Sequence, residues 1–172
     1  MRRSLITSAL GVLLLGLAAN TANAQTCTGN PCSVTTTATL TVNDVLRLTL
    51  DAITTDLGTP VEADFDAGFK ASAGPNSTVK ANRPWHVSVV GVNTVKFTYT
   101  GSLTDPNKPA SDLLSGTVAG TYGNDASASA TLFSGNGTAG SSQQIFYKTL
   151  LSYTNDVTGS YALDVKFTLS AP

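Results

Sequence analysis

The sequence predicts an all-β fold, a single domain built as an immunoglobulin-like antiparallel β-sandwich. Short segments of alternating apolar and polar residues recur along the chain, and clusters of turn-forming residues separate them at the spacing of sandwich strands. Only 12% of the residues are charged; Thr, Ser, Ala, Gly and Val are abundant, and long runs of helix formers are missing.

The first 24 of the 172 residues have the order of a secretory signal: Arg2 and Arg3, an uncharged run from Ala9 to Ala19, then small residues ending in Ala22-Asn23-Ala24. The apolar run is too short to span a bilayer. Leu5 stands where a twin-arginine signal carries Phe, so the general secretory route is expected, with a mature chain from Gln25. Its destination is the periplasm, the cell surface or the extracellular space. Residues 25–33 hold the only two cysteines, Cys27 and Cys32, around the turn formers Gly29, Asn30 and Pro31. In an oxidising compartment this spacing predicts a small disulfide loop. Two thiols and one histidine are too few for a cysteine-rich metal site.

The sandwich domain is assigned to residues 34–172. Val34, Thr36, Ala38, Leu40 and Val42 fall in phase on one face of an extended segment. Leu46, Leu48 and Leu50 form the next such set, followed by Trp85, Val87 and Val89, then Val95, Phe97 and Tyr99. Between them lie Gly58-Thr59-Pro60, Gly74-Pro75-Asn76, Asn82-Arg83-Pro84, Asp105-Pro106-Asn107, Tyr122-Gly123-Asn124-Asp125 and Gly135-Asn136-Gly137, all of which favour turns. Residues 112–115 suit a helical turn or a short strand. Residues 143–154 space Phe146, Leu150 and Tyr153 helically, yet the segment lacks caps and is assigned as strand. The longest alternation is at the end: Tyr161, Leu163, Val165, Phe167 and Leu169 face one way, and Ala162, Asp164, Lys166, Thr168 and Ser170 the other.

Without the leader, eight Lys and Arg oppose 11 Asp and Glu, a net charge of −3 with no like-charged block, so neither nucleic acid nor an anionic membrane is an expected partner. No later apolar run has the length of a membrane helix. A histidine base could only be His86, which lies opposite in phase to Trp85 and faces outward if the tryptophan is buried. Glu62, Asp64 and Asp66 would share one face of a strand, where paired carboxylates serve glycoside chemistry or hold calcium. The run lacks the further oxygen ligands of a calcium loop, so a solvated strand face is expected and no cofactor is assigned, calcium being the one ion the acids suggest. Trp85 and the tyrosines suggest a sugar-stacking platform, although a lone Trp opening a strand more often anchors a core. Asn76 and Asn136 stand in glycosylation sequons within expected turns.

The stretch LFSGNGTAGSSQQIFYKTL from Leu132, followed by TGSYALDVKFTLSAP, resembles the carboxy-terminal part of the spore coat protein U family of exported bacterial proteins, related in style to chaperone-usher fimbrial subunits. The matching residues are Phe133, Gly135, Asn136 and Gly137, then Gly159 and Tyr161, then Val165, Phe167 and Leu169. The resemblance spans roughly the last 40 residues and rests on patterns shared by many β-sandwiches. The amino-terminal half departs from the family: both cysteines sit in the first turn, and Asp56-Leu57-Gly58 stands where a Phe-Gly is expected. The resemblance implies a sandwich short of one strand, completed by β-augmentation from a periplasmic chaperone or a neighbouring subunit. The candidate donor is residues 34–42, although the first strand of its own sandwich is the preferred assignment for this segment, because the chain runs on to Val45 with almost no linker. The expected function is therefore a non-enzymatic, exported structural subunit acting by strand pairing with itself or related subunits. The alternative is a secreted module for carbohydrate or a surface ligand, with Trp85 or an exposed tyrosine as the contact.

Overall fold

Strands form where alternation finds a partner. In the computed structural model, which describes residues 26–172, the chain divides into two units, Met1–Thr41 and Val42–Pro172. The leader assigned to residues 1–24, and Gln25, lie outside the described residues. In the first unit, Cys27 and Cys32 are disulfide-bonded with their Cα atoms 5.7 Å apart. No strand forms over residues 26–41, and every residue from Ser33 to Thr41 is exposed. The expectation that residues 34–42 form the first strand of the sandwich is corrected: the alternation is present, but among the described residues no strand pairs with it.

The second unit is an all-β antiparallel sandwich. The larger sheet contains β1 (Leu46–Leu50), β2 (Phe69–Ala81), β8 (Thr138–Leu150), β5 (Leu113–Gly116) and β6 (Asn124–Asp125), in that spatial order. The smaller contains β10 (Val165–Ser170), β3 (Trp85–Gly91) and β7 (Ala130–Gly135), in that order, and β4 (Thr98–Thr100) pairs with β9 (Ser160–Ala162). A six-residue helix, α1 (Glu62–Ala67), precedes β2, and a 3-10 turn, η1 (Ala110–Asp112), precedes β5. The order β1-β2-β8-β5 follows the A-B-E-D layout of an immunoglobulin-type sandwich, and the β3–β10 pair occupies the C–F position of the opposite sheet.

Three sequence expectations are corrected here. Gly74-Pro75-Asn76 is not a turn but a bulge inside β2, where the register with β8 shifts between Ala73 and Asn76. Proline has no amide to give to the ladder, and a bulge tolerates that loss. The shift reverses the inward face: Ala71 and Ala73 are exposed before it, whereas Ser77, Val79 and Ala81 are buried after it. Second, Glu62, Asp64 and Asp66 lie on α1 rather than on a strand. Asp64 accepts a hydrogen bond from the Val61 amide at 2.9 Å, capping the helix, and Gly68 closes it with φ of 75°, which a side chain would resist. Third, the run from Tyr161 to Leu169 is divided between β9 and β10 by Leu163 and Asp164, although its alternation of half-buried and exposed residues is unbroken up to Leu169. Of residues 143–154, assigned as strand, 143–150 are strand and 151–154 are loop and turn, and residues 112–115 supply both the end of the 3-10 turn and most of β5.

The core has two centres. Val79, Ala81, Trp85 and Val87 form one, joined by Leu48, Phe133, Phe167 and Leu169; Phe97, Leu113, Ala126, Ile145 and Tyr147 form the other. Trp85 is 3% exposed. Its ring meets Phe133 edge-on at 5.7 Å, and its Nε1 donates to the Asn136 carbonyl at 2.6 Å, so the β7–β8 turn is tied to the core by the partner a buried indole requires. Gly135 permits this approach, since a Cβ there would lie 2.7 Å from Trp85 Cζ2. Gly135→Ala is expected to destabilise the domain by about 1–3 kcal/mol, the usual cost of overpacking, measured by denaturant unfolding followed through Trp85 fluorescence.

Candidate functional site

The residues singled out for chemistry are dispersed by the fold. Trp85 is buried in the core, which removes it as a contact for a ligand. His86 lies on the opposite face of β3, half-buried, with its Nε2 2.9 Å from Ser170 Oγ across the β3–β10 pair. Two of the three acids of α1 bond through their carboxylates, and Glu62 only through its main-chain carbonyl. Asp64 also pairs with Lys70 Nζ at 3.0 Å, and the Val61 amide followed by this lysine holds its carboxyl below the ordinary range. Asp66 accepts from the Tyr153 hydroxyl at 2.9 Å, which raises the pKa of that phenol, and the Glu62 carbonyl accepts from the same hydroxyl at 3.3 Å. No group of three metal-ligating side chains occurs among the described residues. Asn76 of the first sequon lies in β2 with its amide on the Asp51 carboxylate at 3.1 Å.

A different feature stands out: a groove of about 840 Å³ inside the second unit, between the two sheets. Leu50 at the end of β1 lines one side, and Leu163, Val165 and Phe167 line the other, with Phe97 and Tyr147 among the residues behind them. β1 and β10 are edge strands of opposite sheets, with Cα atoms that come within 8 Å of each other. Leu48 and Leu169 both pack on the Trp85 cluster, whereas Leu50 and Val165 belong to the groove end.

β10 pairs with β3 on one side only. In an immunoglobulin-type layout the other side of the F position belongs to strand G, and among the described residues no strand occupies it. The outward residues Lys166 and Thr168 carry the polarity with which sheet edges are kept apart in water, but the inward set, Val165, Phe167 and Leu169, is only half-buried. The segment 52–60 runs along the same groove. Among the described residues it makes no main-chain hydrogen bond; Asp56 caps the Gly58 amide at 2.8 Å, and Leu57 packs on the Phe97 cluster. Sequence reasoning identified the inward face of β10 but not the groove, which depends on strand order.

A second arrangement borders the groove. The Lys108 ammonium, its side chain 3% exposed, donates to Asp156 Oδ1 at 2.8 Å, Asp112 Oδ2 at 3.1 Å and the Leu150 carbonyl at 2.6 Å. It sits 5.9 Å from the centre of the Phe97 ring. None of these three side chains had been singled out from the sequence, because a lone Lys and two Asp residues spread over 48 positions form no motif.

No helix among the described residues is long and apolar enough to cross a membrane. No protein-family model, curated protein or solved structure matches the chain, so the site is interpreted from its own geometry.

Burial pushes the Tyr147 hydroxyl, behind the groove, from its ordinary 10.0 up to about 12. The folded state holds this proton more tightly than the unfolded chain does, so its contribution to stability is complete below about pH 10 and is lost as pH rises toward 12. Spectrophotometric titration of the folded protein is expected to show one tyrosine ionising near pH 12, together with unfolding, and Tyr147→Phe to remove that step.

Proposed function

We propose that the protein is an exported structural subunit without enzymatic activity, which assembles with copies of itself or related subunits by strand addition. Residues 34–42 of one molecule add to the free edge of β10 in another and lay Val34, Thr36, Ala38, Leu40 and Val42 along the groove. The observation that carries this reading is the pairing of two incomplete features in one chain: a sandwich edge with a half-buried apolar face, and an alternating segment with no strand partner. Leu40 is 88% exposed, and Val34 and Val42 are also exposed. Burying each of these side chains contributes about 1.5–3 kcal/mol. Each main-chain hydrogen bond along the new ladder adds about 1 kcal/mol. Nine residues extend over roughly 26 Å, longer than the roughly 17 Å of β10, so the segment can also follow the edge past Leu163. A periplasmic chaperone strand is the other occupant with this chemistry before assembly, and the likeness of the last 40 residues to the spore coat protein U family is in keeping with such a pathway.

Light scattering after size-exclusion chromatography tests the reading on the chain from Gln25. Stable oligomers are expected, and Leu40→Asp is expected to convert them to a folded monomer with native circular dichroism, because Leu40, 88% exposed, contributes little burial within its own molecule. A monomeric parent chain, or a Leu40→Asp chain that assembles equally well, overturns the strand-exchange reading.

The second reading, a secreted carbohydrate-binding module, keeps one observation: Tyr153 is 61% exposed and stacks on Phe65 with ring centres 5.0 Å apart. Under that reading a monomer is retained on insoluble glycan, and Tyr153→Ala abolishes the retention.

A further inference from the structure

Lys108, Asp112 and Asp156 are more closely arranged than an ordinary ion pair requires. One ammonium and two carboxylates share a site in which the Lys108 and Asp156 side chains are 3% and 7% exposed, while Asp112, 24% exposed, borders the cavity beside them. Passing one proton from Lys108 to Asp156 across their 2.8 Å hydrogen bond would place a neutral amine beside a neutral acid. These are the two reactants of an amide. The backbones that carry them are anchored: the Lys108 carbonyl accepts from the Phe97 amide at 2.9 Å, and the Asp156 amide donates to the Ser152 carbonyl at 2.9 Å. Ordered groups held in contact convert a slow bimolecular condensation into an intramolecular one.

We propose that Lys108 and Asp156 form an intramolecular amide cross-link, with Asp112 as the proton carrier. The lone pair of Lys108 Nζ attacks Asp156 Cγ and forms the C–N bond. Negative charge develops on Asp156 Oδ2, which already accepts from the Ser152 amide at 2.8 Å. The Asp112 carboxylate takes the proton released by nitrogen and delivers it to Oδ1. The Cγ–Oδ1 bond breaks and one water leaves, so amine and acid become amide and water with no oxidant, reductant or cofactor. A cavity of about 290 Å³, lined by Lys108, Asp112, Leu150 and Asp156 among others, gives that water a way out. The product joins the segment before β5 to the loop after β8, across 48 positions of sequence. This chemistry is independent of strand exchange and stands whether or not the protein assembles.

The test is mass spectrometry of the purified full chain, intact under denaturing conditions and then as a protease digest. The expected mass, with the disulfide accounted for, is one water below the sum of the residues, and the digest contains a branched peptide joining Lys108 to Asp156. Lys108→Arg and Asp112→Asn, each checked for native circular dichroism, are expected to show the full mass and linear peptides only. A parent chain of full mass overturns the proposal and leaves a buried ion pair, as does a water loss that maps to a linear peptide. Undiminished cross-linking in Asp112→Asn overturns the part assigned to Asp112.

Discussion

The pairing of β2 with β8 is the constraint on which the rest of the structure depends. Each is 13 residues long, and together they form the centre of the larger sheet, with β1 added to one side and β5 to the other. Their register decides which residues face the second sheet, because a slip of one residue would send Val79, Ile145 and Tyr147 into water. The bulge at Gly74 and Pro75 uses that sensitivity locally, reversing the inward face part-way along β2. The Gln144 side-chain amide holds the distortion by donating to the Gly74 carbonyl at 2.6 Å.

This arrangement explains what was legible in the sequence. β3 and β10 were clear because they keep a strict period of two from end to end, from Trp85 to Val89 and from Val165 to Leu169. β2 was hidden, since its alternation changes phase at a proline that reads locally as a turn. The helix α1 was hidden for a related reason: six residues are too few to show a 3.6 period, and Glu62, Asp64 and Asp66 alternate as a strand would. Residues 34–42 err in the opposite direction. Alternation shows that a segment is able to pair; whether a partner lies beside it is a property of the whole fold.

The candidate site divides in the same way. Its lining was partly visible, because Val165, Phe167 and Leu169 share a face in any extended reading. The lack of a strand beside β10 among the described residues was not, because that position is defined by the order of strands. The Lys108 trio was wholly invisible to motif reasoning, since its members come from a loop, a 3-10 turn and a second loop brought together only when β5 and β8 pair. In both places the chemistry lies where the sandwich is least regular, at an edge and at a loop crossing.

The separation of β2 from β8 in sequence also bears on how the domain is made. Its central pair joins residues 69–81 to residues 138–150, so the loop-closure entropy of the intervening segment 82–137 is spent before the largest sheet gains its core. A chain emerging from its amino-terminal end shows β2 long before β8 is present to cover it, and the inward side of β3 waits still longer for β10. β1 can pair with β2, and β3 with β7, before that point, but closure of the two sheets over a common core waits for the carboxy-terminal strands.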